Sequence, residues 1–200
     1  LLYVEKLKPD IVHLNNLHGN FINLKILLNF LAVQDIPTVL TLHDCWFYTG
    51  KCTHYTVDQC YRWKLQCGKC PRLGKDNKSW FVDRTMKMLE DKKIWFSEIP
   101  RLAVIGVSDW ITNEANQSIV TTAKIIKRIY NWIELEVFKP RATRILKSHL
   151  GLEEKFVILG VASTWSNEKG LEKFFALAQK IPDNMIIILI GSMQKLKGLP

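Results

Sequence analysis

Short apolar runs rich in β-branched residues alternate with amphipathic stretches along most of this chain, and this alternation is what most constrains its fold. Asp10–Leu14 predicts a strand, Asn20–Ala32 has the apolar spacing of a helix, and Thr38–Leu42 predicts a second strand. The Thr38–Leu42 run is nearly continuous in apolar character, as are strands buried on both faces of a parallel sheet. The order strand, helix, strand therefore predicts an α/β fold.

The same alternation continues along the rest of the chain. The further predicted elements are helix Phe81–Trp95, strand Leu102–Val107, helix Trp110–Asn116, strand Lys127–Tyr130, helix Ala142–Leu150, strand Phe156–Val161, helix Glu168–Gln179 and strand Met185–Ile190. Ser108 stands where a helix cap belongs. Asn131–Pro140 has no clear period and suits a domain connection, so the pattern predicts two doubly wound parallel-sheet domains that face a shared cleft.

We place the first domain at 1–132, a linker at 133–142 and the start of the second domain at 143–200. The chain starts with Leu1 and stops soon after a predicted strand, so we expect both ends to be cut and both domains to be incomplete. Ligands of such sheets bind beyond the carboxyl ends of the strands, and the polar clusters of this chain lie there.

Charge and hydropathy narrow the classes of partner. The net charge of +9 favours anionic partners such as a nucleotide diphosphate, an anionic lipid surface or nucleic acid. The basic residues, Arg72 and Lys92 among them, are spread along the chain as on a solvated surface. The longest apolar runs are far below the roughly 18 residues of a membrane-spanning helix, and no secretory signal precedes them, so we expect a cytoplasmic protein.

Residues 43–77 follow neither period and hold all five cysteines, Cys45, Cys52, Cys60, Cys67 and Cys70, together with many aromatic residues. In a reducing compartment, Cys52, Cys60, Cys67 and Cys70 would suit a structural zinc site, with His54 as a replacement for one ligand. The alternatives are disulfides in an oxidising compartment and ordinary buried thiols. The aromatic side chains would either pack in a core or face sugar rings or lipid.

A second polar segment, Val161–Gly170, leaves a predicted buried strand and enters the helix predicted from Glu168. A helix start offers free backbone N–H groups and a partial positive charge to a phosphate. Lys169 adds a full charge, and Gly170 permits close approach of a ligand. The alternative is a plain strand-to-helix loop with a surface lysine.

This segment resembles the donor-phosphate loop of family-4 retaining glycosyltransferases, which have the GT-B fold of two facing Rossmann-like domains. Four other stretches resemble the family in the same order, Asp10–Gly19, Thr41–Cys52, Gly106–Asp109 and Ile129–Pro140. The resemblance spans nearly the whole chain. It is strongest to the branch of cell-surface polysaccharide assembly, whose N-terminal domain carries a Trp- and Cys-rich insertion.

The resemblance implies roles for individual residues. Lys169 matches the lysine that pairs with the donor diphosphate, and His43 matches a histidine that faces the transferred sugar. The arginine that often precedes this lysine is absent from Ala162–Trp165, so Ser163, Thr164 and backbone N–H groups would substitute for it.

Residues at the other strand ends are candidates for the acceptor side of the cleft, namely Asn16, His18, Gly19, Asp44 and Ser108. We expect the Asp44 carboxylate to fix the tautomer of His43, its neighbour in the chain. We expect His13, in an apolar strand, to be a hydrogen-bonded core residue.

The implied activity is transfer of a sugar, with retention, from a nucleotide-diphosphate sugar to a glycan or lipid-linked glycan, with peripheral contact to an anionic membrane at its inner face. No cofactor is required for the chemistry, and no nucleic acid is expected. The family's glycine-rich loop and paired glutamates fall outside these residues, so we expect no turnover from this piece alone. Two alternatives stay open: a zinc-stabilised basic nucleic-acid-binding module, and another nucleotide-binding Rossmann-like enzyme.

Overall fold

The computed structural model describes residues 1–19, 21–76, 78–79, 81–140 and 144–193. The chain divides into two compact units, with the boundary between Trp132 and Ile133. Among the described residues the first unit holds a four-stranded sheet and the second a two-stranded sheet. Every strand pair is parallel, so the predicted α/β class with parallel sheets is confirmed.

The first unit pairs its strands in chain order. These strands are β1 (Val12–Leu14), β2 (Thr38–Leu42), β3 (Leu102–Gly106) and β4 (Ile125–Arg128). The helices are α1 (Leu2–Leu7), α2 (Leu24–Val33), α3 (Thr85–Ser97) and α4 (Asp109–Ala115). Because β2 and β3 are central, Leu40, Leu42 and Val104 are fully buried, and Leu28 and Leu31 of α2 pack into the same core.

Of the element boundaries that differ from the prediction, three starts have causes that the structure shows. Helix α2 begins at Leu24 rather than at residue 20, which lies outside the described residues, because the Asn23 side chain accepts the Ile26 N–H at 3.2 Å and caps the helix. Helix α3 begins at Thr85 rather than Phe81, since the Asp83 carboxylate binds both the N–H and the hydroxyl of Thr85. Strand β4 starts two residues earlier than predicted, where Ile125 pairs with Ala103.

The second unit contains α5 (Arg144–His149), β5 (Phe156–Trp165), α6 (Leu171–Ala178) and β6 (Met185–Met193). The predicted start of α5 at residue 142 lies outside the described residues. Strand β5 is four residues longer than predicted and absorbs part of the expected loop. Trp165 explains this extension, because its indole donates to the Ile190 carbonyl at 3.1 Å and its ring packs edge-on against Phe174.

The insertion predicted at 43–77, of which residue 77 lies outside the described residues, contains three single 3₁₀ turns at Trp46–Tyr48, Tyr55–Asp58 and Tyr61–Lys64. Its aromatic side chains are largely core residues. Phe47, Tyr48, Tyr55 and Trp63 are buried within the main hydrophobic cluster. Within the described ranges, no helix has the length and apolarity needed to cross a bilayer.

Candidate active site

The carboxyl edge of the first sheet collects the predicted acceptor-side residues. Strands β1, β2 and β3 run parallel and adjacent, so the residues that follow them emerge at one edge. Asn15 follows β1, His43 follows β2 and Ser108 lies two residues beyond β3. Ligands of open α/β sheets bind at this edge, which makes it the candidate site of the first unit.

His43 is held by an amide rather than by a carboxylate. Its Nε2 lies 3.0 Å from Oδ1 of Asn15, and both side chains are exposed. The bond joins the ends of two adjacent strands, since β1 ends at Leu14 and β2 at Leu42. A neutral acceptor such as Asn15 fixes the ring of His43 while leaving its other nitrogen to a ligand.

Asp44 instead binds His18, so the expectation that Asp44 fixes the tautomer of His43 was wrong. Nε2 of His18 lies 3.0 Å from Oδ2 of Asp44, and the Trp46 N–H donates to Oδ1 of Asp44 at 2.8 Å. His43 and Asp44 are consecutive in the chain but contact different partners, Asn15 and His18. The His18 ring also packs edge-on against Trp46, at 6.0 Å between ring centroids.

Ser108 caps a helix, as predicted. Its Oγ accepts the Ile111 N–H at 3.3 Å, and its carbonyl accepts the Thr112 hydroxyl at 2.7 Å. These bonds occupy Ser108, which makes it a structural residue of the site edge. Asn16 and Gly19, the other two acceptor-side candidates, are exposed in the loop between β1 and α2.

A charged pair at the same edge was missed by the sequence reasoning. Arg128, at the end of β4, donates to Asp109 at 2.6 Å and stacks over the Tyr130 ring at 4.4 Å. Tyr130 donates to the other oxygen of Asp109 at 3.0 Å. The hydrogen bond from Arg128 lowers the pKa of Asp109. The only available signal was the position of Arg128 and Asp109 after adjacent predicted strands.

His13 is hydrogen-bonded as predicted, but it is not a core residue. Its Nε2 lies 2.7 Å from Oγ1 of Thr41 on the neighbouring strand, and its ring is exposed. Strand β1 is the edge strand of the described sheet, which accounts for the exposure.

The predicted phosphate loop of the second unit is partly strand. Ser163 and Thr164 lie in β5, not in a loop. Oγ of Ser192 donates to the Ser163 carbonyl at 2.8 Å and lies 3.1 Å from Oγ1 of Thr164. Both predicted residues therefore help to join β5 to β6, although their side chains remain exposed.

Lys169 is the last residue of a 3₁₀ turn, Asn167–Lys169. The prediction that Lys169 lies in the first turn of an α-helix was wrong. Gly170 follows with φ of 78°, a left-handed conformation that suits glycine, and α6 starts only at Leu171. The N–H groups of Lys169, Gly170 and Leu171 already donate to backbone carbonyls. These N–H groups are therefore not free for a ligand, and the exposed Lys169 side chain is the cation that this segment could offer to an anion.

The cysteines of the insertion are five free thiols. Cys52, Cys60, Cys67 and Cys70 line one small cavity, whereas Cys45 is packed in the core. Burial and the neighbouring Cys70 thiol raise the pKa of Cys52 to about 12. His54, the alternative ligand, is exposed, outside this lining, and hydrogen-bonded to Thr53.

Buried cations hold the insertion, which corrects the expectation that the basic residues form a solvated surface. The Arg72 guanidinium donates two 3.0 Å hydrogen bonds to Asp76 and one of 2.6 Å to Asp58. Only 2% of the Arg72 side chain is exposed. Lys92 is fully buried and donates to the carbonyls of Trp46 and Thr49. Sequence spacing gave no signal for these contacts, because they join distant segments.

The sequence of this chain is similar to that of a protein named as a glycosyl transferase. No protein-family model matches the chain. Over 105 residues, 50% of this chain, the sequence is 33% identical to a protein of Escherichia coli strain K12 that is provisionally named colanic acid biosynthesis glycosyl transferase WcaC. The match covers 25% of that protein, so the chain spans about a quarter of the length of this curated relative. The likeness supports a relationship to a glycosyl transferase.

Proposed function

We propose that the protein is a glycosyltransferase of cell-surface polysaccharide synthesis. In this proposal it moves a hexose, with retention, from a nucleotide-diphosphate sugar to a glycan or lipid-linked glycan. The observation that carries the proposal is the 33% identity to a glycosyl transferase named for colanic acid biosynthesis. The presence of two α/β units with parallel sheets is compatible with the two Rossmann-like domains of the GT-B fold.

The second unit would bind the donor. Lys169 is exposed after the carboxyl end of β5, where open α/β sheets bind nucleotides. Its ammonium would pair with the diphosphate, and the left-handed turn at Gly170 would let a phosphate approach the backbone closely. The hydroxyl of Thr164, on the exposed surface of β5, would add a further hydrogen bond.

The first unit would bind the acceptor and face the transferred sugar. His43, whose Nε2–H donates to the Asn15 amide oxygen, would accept one hydrogen bond from a sugar hydroxyl through Nδ1. His18, oriented by Asp44, would line the same edge. The loop that carries Asn16 and Gly19 would complete the acceptor side.

For this reaction the protein would chiefly position the two substrates and stabilise the charge of the leaving diphosphate. The leaving diphosphate would itself accept the proton of the acceptor hydroxyl, so no cofactor is required. The residues would hold the two substrates in contact and stabilise the negative charge that grows on the diphosphate. Lys169 would supply that stabilisation directly.

The insertion and α3 together would place this reaction at an anionic membrane on the cytoplasmic side. Leu65 is 95% exposed and Met86 42% exposed, and both line a groove of about 480 Å³ beside α3. Lys93 lines the same groove, and Lys69 lines the adjoining one. Exposed apolar side chains flanked by lysines suit the interface of an anionic bilayer, where a lipid-linked acceptor would reside.

A binding experiment tests the proposal. Isothermal titration calorimetry of the protein against UDP, GDP and their sugars should identify one nucleotide diphosphate that binds, with no comparable binding to a duplex DNA or single-stranded RNA of similar charge. If only the nucleic acid binds, and salt weakens that binding steeply, the basic nucleic-acid-binding module is the better interpretation. If a dinucleotide binds instead, another class of Rossmann-like enzyme is favoured.

A further inference from the structure

Four cysteines from separate parts of the insertion meet at one cavity of the first unit. The cavity has a volume of about 20 Å³, and Cys52, Cys60, Cys67 and Cys70 contribute to its lining together with Trp63. A space of this size holds roughly one water-sized body.

The thiols line the cavity without yet forming a closed ligand set. Among the described residues, no three Cys, His, Asp or Glu side chains already converge as a metal-binding group. Metal binding would therefore require each thiol to lose its proton and to turn toward the centre of the cavity. The donor set itself fits, because four soft sulfur ligands are the preferred set of structural zinc.

Two buried ammonium groups beside this cavity form no ion pair with a described carboxylate. Lys51 lines the cavity and donates to the carbonyls of Arg72, Leu73 and Lys75. Lys92 is fully buried and donates to the carbonyl of Thr49, another lining residue. Within the described ranges, no carboxylate lies within 4.0 Å of either ammonium group. Buried charges without a counter-ion are costly, so an anion in the cavity would stabilise both ammonium groups.

Trp63 provides an independent sign of an absent acceptor. Its side chain is 3% exposed, and its indole N–H is buried with no hydrogen-bond partner in the part of the chain that the structure describes. Buried polar groups in proteins are nearly always paired. A thiolate sulfur in the same cavity wall would accept this hydrogen bond, whereas a disulfide sulfur is a poorer acceptor.

We propose that Cys52, Cys60, Cys67 and Cys70 bind one structural Zn²⁺ ion, and that the ammonium groups of Lys51 and Lys92 balance the charge of the complex. Four thiols release four protons and form a tetrahedral complex with a net charge of −2, which two ammonium groups offset. Together with the buried cations Arg72 and Lys92, the ion would fix the insertion, whose described residues form no strand. This proposal does not depend on the proposed transferase activity.

Metal analysis of the purified protein tests the site directly. The protein is prepared under reducing conditions without chelator, and its metal content is measured by inductively coupled plasma mass spectrometry. We expect about one zinc per chain, as for a closed Cys₄ site. Replacement of zinc by Co²⁺ should give the visible absorption of a tetrahedral cobalt-thiolate complex.

Variants separate the four proposed ligands from the remaining candidates. Cys60→Ser and Cys70→Ser should lose most of the bound zinc, whereas Cys45→Ser and His54→Ala should retain it, because neither residue lines the cavity. Wild-type protein that holds no zinc and gives no cobalt-thiolate spectrum overturns the proposal even if a variant fails to fold. Disulfides among the four cysteines in mass spectra of the freshly reduced and refolded protein, or full zinc retention by both serine variants, would also overturn it.

Discussion

The Asp44 carboxylate binds His18 at 3.0 Å through one oxygen and the backbone N–H of Trp46 at 2.8 Å through the other. One side chain therefore ties the loop after β1 to the first turn of the insertion. His43 is left to Asn15, whose amide lies 3.0 Å from it. His18 and His43 therefore lie at the same sheet edge but are held by different side chains, Asp44 and Asn15.

His43→Ala should lower kcat/KM for sugar transfer by about 10- to 100-fold, the loss expected when one hydrogen bond to a substrate is removed in a partly desolvated site. Steady-state transfer assays of the complete gene product, with a saturating acceptor, measure the change. His149→Ala, which removes an exposed histidine at the end of α5, is the matched control and should leave the rate unchanged. Equal activity of His43→Ala and wild type would remove His43 from the site.

Lys169→Ala should weaken binding of the nucleotide diphosphate by about 1–3 kcal/mol, which is roughly 5- to 150-fold in Kd, because a charge-assisted contact is lost. Calorimetry measures the effect. Lys180→Ala removes the same charge just beyond the other end of α6 and should change Kd little. Similar losses in both variants would indicate a diffuse electrostatic effect rather than a diphosphate contact at Lys169.

Patterns among residues close together in the sequence predicted those elements that depend on contacts between such residues. Strand β2 was predicted at its observed limits, Thr38–Leu42, because a central strand of a parallel sheet is apolar throughout. The Ser108 cap was also predicted, since its hydrogen bond to Ile111 spans three residues. The pattern of strands and helices was sufficient for the fold class.

Contacts between residues far apart in the sequence could not be predicted from these local patterns. Ala162–Trp165 has the polar composition of a loop, and the bond from the Trp165 indole to the Ile190 carbonyl makes it strand. The His43–Asn15 bond joins positions 28 residues apart, so the neighbouring Asp44 was the natural but wrong partner. From the sequence, Arg72 was expected to be a surface cation. In the structure, it forms ion pairs with Asp58 and Asp76.

Gly106→Ala should destabilise the first unit by about 2–4 kcal/mol, as for other overpacked or strained core positions. A methyl group there would lie 2.8 Å from the backbone nitrogen of Thr112 in α4, and backbone cannot move aside cheaply. Urea unfolding monitored by circular dichroism measures the loss. Gly74→Ala is the control, since nothing lies within 4 Å of its added methyl group. Equal stability of both variants would contradict this packing.

The Arg72–Asp76 pair should make the insertion sensitive to acid. Burial works to raise the pKa of Asp76, but the hydrogen bonds and charge of Arg72 outweigh burial and hold the pKa below its usual 3.8. A carboxyl with a depressed folded-state pKa stabilises the fold above its unfolded pKa, and this contribution disappears as the pH falls through the folded-state pKa. Stability should therefore decline below about pH 4.

Urea unfolding at about pH 5 and pH 3 measures this decline. Asp76→Asn, which cannot ionise, should show a smaller difference between the two pH values than wild type, whereas Asp10→Asn at an exposed position should not. Arg72→Lys keeps the charge but loses the paired hydrogen bonds, and should cost about 2–4 kcal/mol at neutral pH. An unchanged pH profile in Asp76→Asn would exclude Asp76 as a source of the acid sensitivity.

Leu65→Ser should reduce binding to anionic vesicles without changing stability, because the side chain is 95% exposed and contributes little to the core. Co-sedimentation with vesicles of phosphatidylglycerol and phosphatidylcholine, compared with pure phosphatidylcholine, measures binding. Val33→Ser, at the 79%-exposed end of α2, is the matched control and should bind as wild type. Binding that is lost on added salt but equal in both variants would indicate attraction of the net positive charge alone, without insertion of Leu65.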